Sequence, residues 1–267
     1  MHCKLCESAT EDFGALKILG RFDARYRRCL ACGFVFIESV DWLPEAYSSA
    51  IAGSDTGIVA RNLKLADTIS LLIALGFREA RKFLDYGGGS GLLVRLMRDR
   101  GFDFRLSDAY CANIFAAGFE AQSDERFDVV TSMEVVEHLL DPLPTFEELA
   151  SLAPAMIFST ELLPASGNRP GQWWYYAPET GQHVSFYTVP ALKVIAERLQ
   201  MYLATDGKRL HVLSKTQISN RLLRLVTSHS GRGIAALYAR LTGGRRESLI
   251  AADAERWRVQ VAKSIQS

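Results

Sequence analysis

The stretch Lys82-Phe83-Leu84-Asp85-Tyr86-Gly87-Gly88-Gly89-Ser90-Gly91-Leu92-Leu93 constrains this chain more than any other, because an apolar strand runs through an acid into alternating glycines and then a helix. Glycines 87, 89 and 91 follow Asp85 as D-x-G-x-G-x-G. Residues without a Cβ let the backbone turn sharply after a strand and let a ligand approach it closely. The helix is expected to start near Ser90 and to carry Leu92, Leu93, Leu96 and Met97 on one face. The pattern predicts an α/β fold with a small-molecule cradle at the end of a strand.

The glycine spacing separates two ligand classes. A dinucleotide fingerprint reads G-x-G-x-x-G and brings a pyrophosphate onto the helix N-terminus. Here the glycines alternate, and a carboxylate at Asp85 would repel a pyrophosphate while accepting hydrogen bonds from an amino-acid ammonium. S-adenosylmethionine is therefore favoured and an oxidoreductase disfavoured. Asp108 ends the next expected strand, Phe102 to Leu106, where a ribose-binding carboxylate belongs.

Asp85 to Gly91, Asp108, and the run from Phe127 through Met133, Glu134, Glu137 and His138 to Pro142 together resemble class I S-adenosylmethionine-dependent methyltransferases. The resemblance covers about residues 58 to 215. It implies a doubly wound, mostly parallel, Rossmann-like sheet of seven strands. It also implies cofactor contacts from Asp85, Gly87, Gly89, Gly91, Asp108 and Met133, with Gln122 or Asp124 at the adenine amine. Ala109 to Ala117 is expected to be a short helix, Gly118 to Gln122 the third strand, Phe127 to Thr131 the fourth and Ala155 to Thr160 the fifth. Met201 to Thr205 and Leu210 to Ser214 are read as an antiparallel ending around an Asp206-Gly207 turn.

Cys3-x-x-Cys6 and Cys29-x-x-Cys32 stand 22 residues apart, the spacing of a zinc ribbon. Each knuckle lets two thiolates hold one edge of a tetrahedral ion, and Gly33 suits the left-handed residue that such a turn needs. Two disulfides or a redox dithiol are the competing readings. A ribbon ahead of such a core is similar to small-molecule and sugar methyltransferases, among them C-methyltransferases of nucleotide-linked deoxysugars, which carry a further C-terminal domain.

Residues 161–187 hold an aromatic insertion in which Trp173, Trp174, Tyr175, Tyr176 and Tyr187 are candidates to contact an acceptor, or to form a lid that only packs. His183 is the favoured general base, since an imidazole near pKa 6.5 can take a proton at neutral pH. A positioning hydrogen bond is its other reading. Glu134, Glu137 and His138 cluster after the fourth strand; His138 is a second catalytic candidate, and it also reads as a histidine that fixes the loop.

The remaining length divides as residues 1–40, the ribbon; 41–76, linker helices over 41–52 and 58–75; 77–216, the methyltransferase core; and 217–267, a helical tail. Residues 207–267 hold 12 Lys/Arg against 3 Asp/Glu, whereas residues 1–206 hold 19 against 27. Two amphipathic helices over 218–241 and a third from Glu247 to Ile265, with Trp257, Val261 and Ile265 in line, are expected there. Such a tail suits packing on the parent domain, self-association, a membrane surface or RNA. No apolar run reaches the roughly 20 residues of a bilayer span and Met1 to Lys4 lacks a signal-peptide core, so a cytoplasmic enzyme is expected. The favoured function is methylation of oxygen or carbon on a small molecule, such as a sugar. RNA methylation through the ribbon and tail, and a non-catalytic S-adenosylmethionine-binding protein, are the alternatives.

Overall fold

The computed structural model describes residues 1–47, 56–241 and 246–266. They group into two compact units, Met1–Ser54 with Ser132–Leu223, and Asp55–Thr131 with Arg224–Ser267.

In chain order, β1 (Thr10–Ile18), β2 (Phe22–Cys29) and β3 (Val35–Ile37) form an antiparallel meander. The short helix α1 (Leu43–Ala46) follows; positions 48–52 of the helix expected there, and the break at 53–55, lie outside the described residues. Next come α2 (Ile58–Gly76), β4 (Lys82–Tyr86), α3 (Leu92–Asp99) and β5 (Asp103–Ser107). Then β6 (Val129–Met133) leads through a 3-10 turn at Val136–His138 to α4 (Pro142–Leu152) and β7 (Ala155–Ser159). A second 3-10 turn, Trp174–Tyr176, precedes β8 (Ser185–Phe186), α5 (Val189–Arg198), β9 (Tyr202–Thr205) and β10 (Leu210–Ser214). The chain ends in α6 (Asn220–Thr227), α7 (His229–Leu241) and α8 (Ile250–Gln266).

Two sheets result, β1-β2-β3-β8 and β5-β4-β6-β7-β10-β9. In the larger one β4 runs parallel to β5 and β6, while β10 is antiparallel to both β7 and β9. It has six strands, not the expected seven. Gly118 to Gln122 makes only an isolated bridge, Leu106 to Glu120, held by Leu106 N–H to Phe119 O (2.8 Å) and Ala121 N–H to Leu106 O (2.8 Å), before the chain turns away at Ser123 and Asp124. The helix expected over Ala109 to Ala117 is also absent. Its amides go elsewhere: Tyr110 and Cys111 donate to Asp108 Oδ1, and Ile114 and Phe115 to Ser90 O. The Asp108 side chain and the distant Ser90 carbonyl take the amides that i−4 carbonyls would have accepted from.

In the first unit the ribbon and the aromatic insertion share one core. Phe13, Tyr26, Val35, Ile37, Trp42, Tyr175, Tyr176, Val184 and Phe186 are buried together. Tyr26 meets Tyr176 edge-on at 5.3 Å, and β8 extends the ribbon sheet by pairing with β3. Burying one such ring contributes about 1.5–3 kcal/mol and an edge-to-face pair about 1 kcal/mol more, so this sheet does not depend on metal alone.

In the second unit, α3 buries Leu93, Val94 and Met97, turned slightly from the expected face, which included the half-buried Leu92 and Leu96. Arg98 on the same helix is buried beneath α8. It donates Nε and Nη2 to the two carboxylate oxygens of Asp253 at 2.8 and 2.7 Å, and its guanidinium lies 3.8 Å from the Phe119 ring centre. A bidentate pair of this kind fixes α8 in register. The side chains of Val261 and Ile265 lie outside the described residues.

Candidate active site

The turn after β4 is built from backbone conformations that only glycine adopts cheaply. Gly87, Gly89 and Gly91 have φ of +67°, +58° and +83°. Gly91 also caps α3, placing the helix start one to two residues later than expected. A Cβ on Gly88 would stand 2.4 Å from Asp85 Oδ2 and 2.6 Å from Leu106 Cδ1, so this glycine is required by the protein itself. A Cβ on Gly89 would meet nothing within 4 Å. That side of the loop is open, as a cradle for a small molecule requires.

Two acids hold the loop. Asp108 accepts from Gly89 N–H (2.8 Å) through one oxygen and from Tyr110 and Cys111 N–H (2.8 and 2.7 Å) through the other. Asp85 is buried on β4 and accepts from the Thr131 hydroxyl at 2.6 Å. Burial raises its carboxyl to about 7; the Thr131 bond opposes the shift and the nearby Asp108 charge adds to it. A cationic ammonium beside Asp85 would restore its charge.

A second constellation lies in the other unit, where Glu137, His138 and His183 bring ligand-capable atoms within 4.8 Å of one another. Glu137 ends buried at the 3-10 turn, accepting at Oε1 from the Tyr175 hydroxyl (2.5 Å), while its buried Oε2 has no hydrogen-bond partner within 3.5 Å among the described residues. Burial pushes its carboxyl well above the usual carboxylate range, helped by the Glu134 charge and opposed by the Tyr175 bond. His183 Nδ1 lies 2.6 Å from the Tyr175 carbonyl, and His138 Nδ1 lies 3.1 Å from the Gln182 carbonyl and 3.0 Å from the Tyr47 hydroxyl. A carbonyl only accepts, so His183 Nδ1 carries the proton and its Nε2 is an acceptor, whereas His138 Nδ1 lies between a carbonyl and a hydroxyl that can donate to it. Burial depresses both imidazoles, His138 to about 3. Glu134 has a left-handed φ of +55°, and its carboxylate accepts from the Ser159 hydroxyl at 2.5 Å.

The four ribbon thiols also converge. Cys3 Sγ lies 3.7 Å from Cys32 Sγ, and Cys6 Sγ lies 3.4 Å from Cys29 and 3.7 Å from Cys32. No disulfide joins them, and Cys32 approaches both Cys3 and Cys6, so the four sulfurs gather round one centre. Four thiolates at about 2.3 Å from a tetrahedral zinc stand about 3.8 Å apart, so the donor set fits that ion. Gly33 takes the expected left-handed φ, +69°.

The methyltransferase-domain family profile matches residues 59–204, more than half of the chain. The chain belongs to that family. Among curated relatives of this methyltransferase-domain protein, the ubiquinone biosynthesis O-methyltransferase of Cereibacter sphaeroides is 37% identical over 83 residues, 24% of this chain and 34% of the relative. That of Alkalilimnicola ehrlichii is 35% identical over 108 residues, 32% and 44% of the two chains. The matches thus span less than half the length of these relatives. The crystal structure of TnmH is 17% identical, with a TM-score of 0.50, covering 66% of this chain and 61% of that one, a likeness of fold.

Within the methyltransferase-domain fold, Asp85, Gly87, Gly89, Gly91 and Asp108 form one cradle in one unit, and Met133 ends β6. Gln122 and Asp124 are exposed. His138 and His183 meet edge-on at 5.0 Å in the other unit. The five insertion aromatics part company: Tyr175, Tyr176 and Tyr187 are fully buried, Tyr176 donating to Asn168 O and Tyr187 to Val136 O, while Trp173 is half-buried and Trp174 is 70% exposed. Sequence reasoning assigned no task to Glu137 or Thr131. An acid next to a histidine inside an apolar run was the available signal for the first; nothing marked the second.

Proposed function

We propose that this chain transfers a methyl group from S-adenosylmethionine to an oxygen of a small-molecule acceptor. The observation that carries this reading is the cradle, an open glycine loop with Gly89 facing free space between Asp108 and the buried Asp85, in a chain of the methyltransferase-domain family. Relatives described as O-methyltransferases support oxygen as the target.

When bound, the cofactor supplies a methyl group activated by its sulfonium. Asp85 would pair with the cofactor ammonium, Asp108 would accept from the ribose hydroxyls, Gly87, Gly89 and Gly91 would let it approach the backbone, and Met133, at the end of β6, is the remaining candidate cofactor contact. The reaction is an in-line displacement that needs alignment and loss of the hydroxyl proton. In the cluster with His138 and Glu137, His183 presents Nε2 as an acceptor, and there the acceptor hydroxyl gives up its proton. The exposed indole of Trp174 offers a face to a sugar or aromatic ring. Cys3, Cys6, Cys29 and Cys32 hold a structural zinc ion.

Calorimetric titration tests the reading: wild type binds S-adenosylmethionine at micromolar concentration and Asp108→Ala weakens it at least tenfold. Absence of binding by folded protein would overturn it. Release of S-adenosylhomocysteine with hydroxylated acceptors separates an enzyme from a protein that only binds the cofactor.

A further inference from the structure

We propose that the cavity beside the second cysteine knuckle is a binding site for a small organic anion with an apolar body, anchored on Arg28. The cavity has a volume of about 670 Å3 and lies within the first unit. Its walls come from the knuckle at 29–33, from residues 162–165 after β7, and from 188–190 at the start of α5. Small-molecule sites occupy roughly 300–1,000 Å3, so the cavity has the size of one.

The chemistry of the walls selects the ligand. Leu162, Leu163, Pro164, Val189 and Pro190 bring no side-chain hydrogen-bonding group. The Thr188 hydroxyl is engaged in both directions, donating to Cys32 O at 2.5 Å and accepting from Ala191 N–H at 3.1 Å. The charged side chains are Arg28 and Glu11. They face each other in the β1–β2 register, yet no ion pair joins them, and Glu11 is exposed while Arg28 is half-buried. The Arg28 guanidinium lies 5.5 Å from the Phe13 ring centre and that of Arg169 lies 5.8 Å from the same centre, and no acid among the described residues pairs with either. A Cβ on Gly167 would stand 3.5 Å from Arg28 Nη1, so the insertion loop also confines the group.

A confined guanidinium with unclaimed donors matches the oxygens of a carboxylate, sulfonate or phosphate ester through two parallel hydrogen bonds. Such an anion also offsets the repulsion between Arg28 and Arg169. The apolar walls cover the rest of the molecule, whereas a polyol would leave its hydroxyls unmet there. Leu163 N–H donates to Tyr187 O at 2.8 Å, so the cavity wall joins both ends of the aromatic insertion and an occupant braces it at its base. None of the candidate cofactor contacts lines this cavity, and its occupancy does not depend on methyl transfer.

Anilinonaphthalene sulfonate is the probe, and uncharged N-phenylnaphthylamine, the same rings without the sulfonate, is its control. In zinc-loaded full-length protein saturated with S-adenosylhomocysteine, fluorescence titration should show one sulfonate probe bound per chain, at least tenfold more tightly than the neutral one. Arg28→Met, which keeps an apolar stem over Phe13 and removes the charge, should weaken the sulfonate at least tenfold and leave the neutral probe unchanged. Glu11→Gln should bind the sulfonate at least as tightly as wild type does. Ala165→Trp, at an exposed residue of the cavity wall, should exclude both probes. The melting temperature of each variant separates loss of the site from loss of the fold, and if Arg28→Met melts early, Ala165→Trp decides. No saturable sulfonate binding by wild type, or binding by folded Arg28→Met or Ala165→Trp equal to that of wild type, overturns the site.

Discussion

Asp85 and Glu137 are both buried almost completely, and both carboxyls are raised by burial, yet the two regions around them are built differently. Asp85 sits at the end of a strand, on a turn closed by backbone amides and glycines from one short stretch. Glu137 sits among side chains drawn from three stretches, near residues 137, 175 and 183. A site made of consecutive backbone writes itself into local spacing. A site made of side chains gathered by the fold does not.

The largest effect should come from filling the cradle. Gly89→Ala places a Cβ in space that the protein leaves empty, at a φ that costs an L-residue about 1–2 kcal/mol. S-adenosylmethionine affinity should fall by about a hundredfold while the melting temperature drops only by several degrees. Unchanged affinity in calorimetry would show that no ligand approaches this glycine and would dissolve the contrast between the two regions.

The mirror experiment is His183→Ala. Turnover should fall by roughly 10² or more with cofactor affinity near normal, because the cluster is assigned to the acceptor and its proton. If instead cofactor binding weakened and turnover at saturation survived, His183 would belong with the cradle.

How much of this was legible follows the same division. Strand β10 lies where it was expected, Leu210–Ser214, because four apolar or small residues around His211 close against an Asp206-Gly207 turn. The missing third strand was invisible as an absence: Phe119 and Ala121 look like strand residues, and their amide and carbonyl groups do reach Leu106, but the pairing stops after one bridge. The aromatic run from Trp173 to Tyr176 reads as an acceptor contact or a packing lid because four rings in sequence cannot all sit in regular structure. What spacing could not reveal is that the ribbon brings Tyr26 against Tyr176, turning part of the insertion into core.

A smaller effect should follow from cutting the link between Tyr175 and Glu137. Tyr175→Phe removes the donor at Glu137 Oε1 and leaves a buried carboxyl with both oxygens short of partners. Denaturant unfolding should show a loss of about 1–3 kcal/mol. The pH dependence sharpens the picture. His138 titrates at about 3 when folded and near 6.5 when unfolded, so between those values the unfolded chain binds more protons and stability falls as pH falls. His138→Gln should lose less stability than wild type from pH 6.5 to pH 4, the difference being about 1–2 kcal/mol once partial exposure is discounted. Parallel pH curves would remove the buried neutral imidazole from the description of the cluster.

The smallest stability change should come from Trp174→Ala. The indole is 70% exposed, touching Tyr175 edge-on at 5.2 Å, so its removal takes little apolar surface from the core and should alter unfolding free energy by less than about 0.5 kcal/mol. A large exposed ring beside a fully buried Tyr175 is poorly explained by packing, since the three tyrosines of the same insertion are already fully buried. If Trp174 instead stacks on the acceptor, the substitution should raise the acceptor KM several-fold and leave cofactor affinity alone, as expected for a ring interaction of about 1 kcal/mol. An unaltered KM would move acceptor recognition away from the exposed part of the insertion. The Glu137, His138 and His183 cluster would then hold the acceptor through its polar groups alone.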